Sequence, residues 1–149
     1  TANKLYLSIP DLNPGQSAGL KNQLLQIAGV ENVALVRGVP MLGSNNTSDT
    51  WHDQPISIQR FEGDSSYLKI MGFRILRDNR TDDRKAKWLN ETAMQAMELP
   101  DSASYCEYFK CPIAGIVQDF RYRDLTHPAE PGLIEHMQDN AGPWACIIQ

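Results

Sequence analysis

The chain has 149 residues, of which 42% are hydrophobic and 21% charged, with a formal net charge of -4. These values suit one globular domain, or one domain with a small lobe, and exclude a disordered chain. They also exclude a nucleic-acid-binding surface, which needs a basic footprint; the densest basic stretch, Arg80 to Lys87, is diluted by Asp82 and Asp83. No apolar run reaches the roughly 20 residues that a membrane-spanning helix requires. The chain begins Thr-Ala-Asn, with neither Met nor a signal peptide. It therefore reads as a processed product or a piece of a longer chain, whose spanning helices lie elsewhere if the parent is a membrane protein.

In chain order, Leu5 to Ile9 predicts a strand ended by Pro10, and Asn13-Pro14-Gly15 predicts a turn and helix start. Leu20, Leu24, Leu25 and Ile27 give the stretch Ser17 to Ala28 the spacing of a helix with one buried face, and Gly29 suits its left-handed exit. Val30 and Val33 to Val36 predict a second strand running to Pro40, so the chain opens β-α-β. Gly43 to Thr50 is polar throughout and predicts a mobile loop. Ile56 to Phe61 alternates as a half-buried strand does. Asp64 predicts the N-cap of a short helix from Ser65 to Met71, stopped by Gly72. Phe73 to Leu76 predicts a short strand, and Arg77 to Lys87 an exposed charged segment. Trp88-Leu89 leads into a helix capped by Asn90 and favoured by Glu91, with Ala93, Met94, Ala96, Met97 and Leu99 as its packing face. Pro100 to Lys110 reads as a loop. Ile113 to Val117 predicts a core strand continuing through Gln118, Asp119, Phe120 and Arg121 to Tyr122. Leu133 to Met137 and Trp144 to Ile148 predict the last two strands. Strands outnumber helices and several neighbours suit hairpins, which gives an α+β fold with a mixed or antiparallel sheet.

The chemically able residues do not form a convincing site. Trp51-His52-Asp53 sets a His beside an Asp, but a catalytic triad needs its groups convergent in space, and no Gly-x-Ser-x-Gly elbow occurs. His127 and His136 are too far apart to form a local metal pair, and no His-Glu-x-x-His pattern exists. Asp82, Asp83 and Asp101 lack the ligand spacing of a calcium loop and read as solvated. Cys106, Cys111 and Cys146 are odd in number; Cys106 and Cys111 have no second pair or nearby His to complete a zinc site. Two readings stay open for them: one bridge plus one buried thiol, or three free thiols. The glycines form no phosphate loop; Gly115, inside a strand, permits a bulge or a close backbone approach. Sequons stand at Asn45, Asn46, Asn79 and Asn90; Asn90 reads as a helix cap and the others as chance.

The run from Trp88 through Asn90, Glu91, Thr92 and Ala93 to Met97 resembles the "vvlNEtaakalg" segment of MacB-like periplasmic core domains. After a loop, Pro112 to Tyr122, with Gly115, Val117, Asp119 and Phe120, is similar to that family's "tIiGVVkDFhf" strand. Asp124-Leu125-Thr126-His127-Pro128, then Glu130-Pro131, is similar to the segment that follows it. Leu24 to Val36 and Asp64 to Leu76 resemble the family's earlier segments more loosely. Asn79 stands where the family usually has Gly before Arg80, and the family's "iGk.f" stretch has no counterpart between Asp101 and Lys110.

The resemblance to this MacB/FtsX-like permease family implies that residues 1–149 form a two-lobed α+β domain on the periplasmic face of the bacterial inner membrane. It implies no catalysis and no cofactor. Partners would be the transmembrane helices of its own permease, a cytoplasmic ATPase acting indirectly, and a periplasmic protein or substrate, in a dimeric permease. The residues that carry the resemblance are expected to be architectural: Asn90 as cap, Gly115 and Val117 in a core strand. Family domains usually add a further β-α-β after the strand that here ends at Gln149. The alternative is a free-standing secreted or surface binding module of similar fold.

Overall fold

The computed structural model describes residues 3–121 and 126–149. Its ten strands form one sheet, and its helices are few and short. Strand β1, Leu5–Ser8, leads to helix α1, Pro14–Leu25, and strand β2, Val33–Arg37. A hairpin of β3, Asn45–Trp51, and β4, Gln54–Gly63, follows. Next come helix α2, Tyr67–Met71, strands β5, Ile75–Asp78, and β6, Lys87–Asn90, and helix α3, Glu91–Ala96. The short β7, Tyr105–Cys106, turns back on β8, Cys111–Val117; β9, Gly132–His136, and β10, Ala145–Ile148, complete the set.

The sheet order is β1-β10-β2-β4-β9-β6-β8-β5, with β3 added beside β4 and β7 beside β8. Among the described residues, only β4 with β9 and β6 with β8 pair in parallel. The mostly antiparallel α+β expectation therefore holds. The opening β-α-β is present but split: β10 inserts between β1 and β2 and pairs antiparallel to both. No local pattern in the first 40 residues could announce a partner more than a hundred residues away.

Three apolar clusters lie along this one sheet. Phe61, Tyr67, Ile70, Val117 and Ile134 form one beneath α2, and Ile58, Leu89, Met94, Met97, Ile113 and Leu133 form another beneath α3. A smaller one, Val33, Leu35 and Cys146, meets α1.

Several sequence expectations are corrected. The polar stretch Gly43 to Thr50 is not a loop: from Asn45 onward it is strand β3, in register with β4 from Asn45↔Arg60 to Trp51↔Gln54. Its polarity reflects a ribbon largely open to solvent, where a strand needs no apolar face. Helix α1 ends at Leu25 and buries only Ser17; Leu25 and Ile27 stay exposed, because the helix meets only the small cluster near the sheet edge. The strand expected at Phe73 to Leu76 starts later and runs to Asp78, and Ala86 and much of Arg77 are covered, so Arg77 to Lys87 is not uniformly exposed. Ala96 faces solvent while Ala93, Met94 and Met97 are buried. The loop from Pro100 to Lys110 contains β7. The core strand ends at Val117 instead of continuing through Arg121; Tyr122 lies outside the described residues.

Candidate functional site

Asn90 is fully buried at the point where β6 becomes α3. Its Oδ1 accepts from the backbone N–H of Ala93 at 2.8 Å, capping the helix, and from that of Gly132 at 3.0 Å. Its Nδ2 donates to the Glu130 carbonyl at 2.9 Å. One side chain thus ties the start of α3 to the chain entering β9. A second tie lies beside it. The Asp119 carboxylate accepts from the Thr92 N–H at 2.9 Å and from the Thr92 hydroxyl at 2.7 Å, while the Asp119 N–H donates to Glu91 Oε1 at 3.2 Å. The end of β8 is therefore stapled to the first turn of α3.

The remaining family-like residues complete this junction. Gly115 lies where a Cβ would fall 2.1 Å from the Arg77 carbonyl and 2.4 Å from the Trp88 ring, so only glycine fits. Val117 is fully buried and pairs with Asn90 across the parallel ladder. The Phe120 ring meets Phe73 at 4.9 Å and Phe61 at 5.4 Å between centroids. The Pro131 carbonyl accepts from Gln59 N–H at 3.0 Å, and Ala93 is buried under α3. Residues scattered from 90 to 131 in sequence thus meet at the ends of β6, β8 and β9. Asp124 and Leu125 lie outside the described residues.

The titratable residues considered from sequence stay apart. His52 and Asp53 form the two-residue turn of the β3–β4 hairpin, both at positive φ. The His52 ring stacks on Trp51 and its Nδ1 lies 3.2 Å from Glu98 Oε2, in solvent. His136 Nδ1 lies 3.0 Å from the Met137 carbonyl, and Asp83 Oδ1 accepts from the Lys85 N–H. Asp82, Asp101 and His127 are exposed. Among the described residues, no group of three or more His, Cys, Asp or Glu is placed to hold a metal.

Two features escaped the sequence reading. The first is a charged row across one face of the sheet. Arg60 binds Glu135 with two of its three guanidinium nitrogens, Nε at 2.7 Å and Nη2 at 2.8 Å, and Lys87 lies 3.6 Å from the same carboxylate. The Glu135 hydrogen bond raises the already high pKa of Arg60, against the opposing pull of burial. Arg37 Nε stands 3.0 Å from Glu62 Oε2, an ion contact not aligned as a hydrogen bond, and Arg37 also stacks over Trp144. Beside this row runs a groove of about 410 Å³ bounded by Arg37, Arg60, Glu62, Glu135 and His136. The Arg60-Phe61-Glu62 alternation was its only sequence signal.

The second feature is the excursion between β2 and β3. Both strands pair with the same edge of β4, at Arg37↔Glu62 and then Asn45↔Arg60. The residues between loop out, closed by a Val39↔Gly43 bridge and turned by Gly38 at φ 110° and Met41 at φ 75°. The buried Tyr67 hydroxyl anchors the neck by donating to the Gly38 carbonyl at 2.8 Å. Met41 and Leu42 are held out at the tip, 54% and 61% exposed.

No protein-family model and no curated protein matches the chain by sequence. Solved structures do match. The extracellular domain of the ABC-type transporter YknZ from Gram-positive bacteria superposes with a TM-score of 0.63 at 10% identity, over 99% of this chain and 83% of that one. The periplasmic region of MacB from Actinobacillus actinomycetemcomitans superposes with a TM-score of 0.62 at 10% identity, over 98% of this chain and 73% of that one. The chain has the MacB-like periplasmic-domain fold. At such identity the likeness is one of fold.

Proposed function

We propose that this chain is the non-catalytic extracytoplasmic domain of an ABC transporter permease, which relays ATP-driven motion of its transmembrane helices or engages partners and substrates outside the membrane. The observation that carries the reading is the fold shared with the YknZ and MacB domains over nearly the whole chain. On this reading the domain is set between two membrane helices, with the cytoplasmic ATPase acting through them and a second copy of the permease beside it. Within this reading the family-like residues, Asn90, Glu91, Ala93, Gly115, Val117, Asp119, Phe120 and Pro131, serve rigidity. A domain that transmits displacement must not absorb it, and the bonds of Asn90 and Asp119 lock three strand ends to one helix. The tip at Met41 and Leu42 is the natural contact point for a partner, since exposed apolar side chains gain most from being covered.

The test uses the full-length permease. A phosphatase active only outside the cytoplasm, fused within the Met41–Leu42 tip, is expected to be active. A cytoplasmic reporter at the same place is expected to be silent. The triple variant His52→Ala, His127→Ala, His136→Ala is expected to keep at least half of transport. The reverse reporter pattern, or loss of transport in a normally expressed triple variant, would overturn the proposal.

A further inference from the structure

Cys106, Cys111 and Cys146 are all buried and unbridged. The ladder of β7 with β8 sets Cys106 directly opposite Cys111. Directly opposed residues of an antiparallel pair project to the same face, with Cα atoms about 4.5–5.5 Å apart. A disulfide accepts Cα separations of about 4.4–6.8 Å, so this register meets its demand on the backbone. Both sulfurs enter the same apolar cluster, under Met97 and beside Ile113. Cys146 is excluded from either partnership. It lies on β10, with β2, β4, β9 and β6 between it and β8, in a different cluster. At about 4.8 Å per strand that is more than about 20 Å of sheet.

We propose that Cys106 and Cys111 are joined by a disulfide in the working protein and that Cys146 remains a thiol. The oxidant is an external disulfide, either glutathione disulfide or the disulfide of a thiol oxidoreductase. One cysteine thiolate attacks a sulfur of that disulfide, expelling one thiolate and leaving a mixed disulfide. The second cysteine thiolate attacks the sulfur of the first and expels the other thiolate. The protein loses two protons and two electrons, and the oxidant is reduced to two thiols. Burial raises the pKa of both cysteines in the finished fold, which disfavours the attacking thiolate. The bond therefore forms on the assembling hairpin, before Met97 covers it. Its effect is local and mechanical. It closes the turn that carries Tyr108 and Phe109. The Tyr108 hydroxyl donates to Asp49 of β3 at 3.2 Å, and the Phe109 ring underlies Arg60 and Lys87 at 5.8 Å. The bridge pins the support on which the β3–β4 hairpin and the charged row rest.

That an oxidant is met in the cell rests on the extracytoplasmic reading; the pairing itself does not. The full chain is unfolded under reduction, refolded in excess glutathione disulfide, alkylated, digested and mapped by mass spectrometry. The expected result is a linked pair of peptides holding Cys106 and Cys111, two hydrogens lighter than the reduced pair, with Cys146 alone alkylated. The variant Cys146→Ala, refolded from the reduced, unfolded state in the same oxidant, is expected to lose both remaining thiols at a rate independent of protein concentration. Three alkylated cysteines, glutathione adducts alone, or a link to Cys146 would overturn the pairing. A bond that forms in the tube but is absent from protein taken from cells would count against the extracytoplasmic reading and leave the pairing intact.

Discussion

Asn90 is more than a helix cap. A cap alone is worth about 1 kcal/mol. Here the same side chain also satisfies the Gly132 N–H and the Glu130 carbonyl, and Asn90 has no access to water. An unmet buried polar group costs about 1–3 kcal/mol. We therefore expect Asn90→Ala to lower the unfolding free energy by about 3 kcal/mol in urea titration; a loss below about 1 kcal/mol would show that water replaces the side chain. Gly115 makes a sharper case. An added methyl meets the Arg77 carbonyl, which is backbone, and the Trp88 ring, which is packed. The carbonyl cannot withdraw without parting β5 from β8, and the ring cannot without disturbing β6 on the other side. Overpacking of this kind costs about 1–3 kcal/mol and occasionally more. Gly115→Ala is expected at the upper end of that range, with the amides of Ile75 to Asp78 exchanging faster than in the parent protein. Unchanged exchange there would mean that the strands absorb the methyl.

At the scale of elements, the β3–β4 hairpin turn departs from the residues its geometry favours. His52 at φ 50° and Asp53 at φ 62° occupy a two-residue turn that prefers Asn-Gly. The His52–Glu98 pair does little to compensate, being largely exposed to solvent. Replacing His52-Asp53 with Asn-Gly should raise stability by about 0.5–1 kcal/mol by easing the positive φ, read as an increase in thermal midpoint; a decrease would show that the His52 stack on Trp51 matters more than the backbone. The same hairpin explains what the sequence could and could not disclose. Ile113, Val117 and Ile134 are buried on central strands, and a run of apolar residues announces such strands whatever their partners; β6, with only Trp88 and Leu89 between polar neighbours, gives no such run and does not read as a strand. Asn13 with Pro14, Asn90 and Gly72 likewise act through bonds or φ values within a few residues, so those three helix ends were legible; two others were not, since α1 stops at Leu25 short of Gly29, and α2 starts at Tyr67 with Ser66, not Asp64, at its N-cap. Strand β3 was not, because a solvent-facing ribbon is specified by its register with β4 and not by its own pattern. The charged row was hidden for a related reason. Arg37, Arg60, Lys87 and Glu135 come from four separate strands, and only the sheet order makes them neighbours.

For the whole molecule, the buried weak acids set a limit at alkaline pH. Tyr67 is buried to 1% exposure, and burial alone raises its hydroxyl far above the ordinary value of 10.0. Burial likewise raises the thiols of Cys106, Cys111 and Cys146 above 9.0. Below about pH 8 these groups hold their protons in the folded and unfolded chains alike, so they contribute little to pH dependence there. Above it the unfolded chain releases protons that the folded chain retains. The unfolded state then binds fewer protons, and stability must fall as pH rises. In the reduced protein the fall should begin between about pH 8 and 9, from the thiols, and steepen towards and above pH 10 as Tyr67 joins. In the oxidised protein two thiols no longer titrate, so the first part of the fall should shrink to the share of Cys146 while the Tyr67 part remains. Tyr67→Phe separates that last part. It lacks the hydroxyl bonded to Gly38, so it should be less stable at pH 8, yet its further loss between pH 10 and 11 should be smaller than that of the parent. Urea midpoints measured from pH 7 to 11 on reduced, oxidised and Tyr67→Phe protein decide the point. Parallel curves for all three would mean that the alkaline limit lies in other groups, and that neither the buried hydroxyl nor the paired thiols govern it.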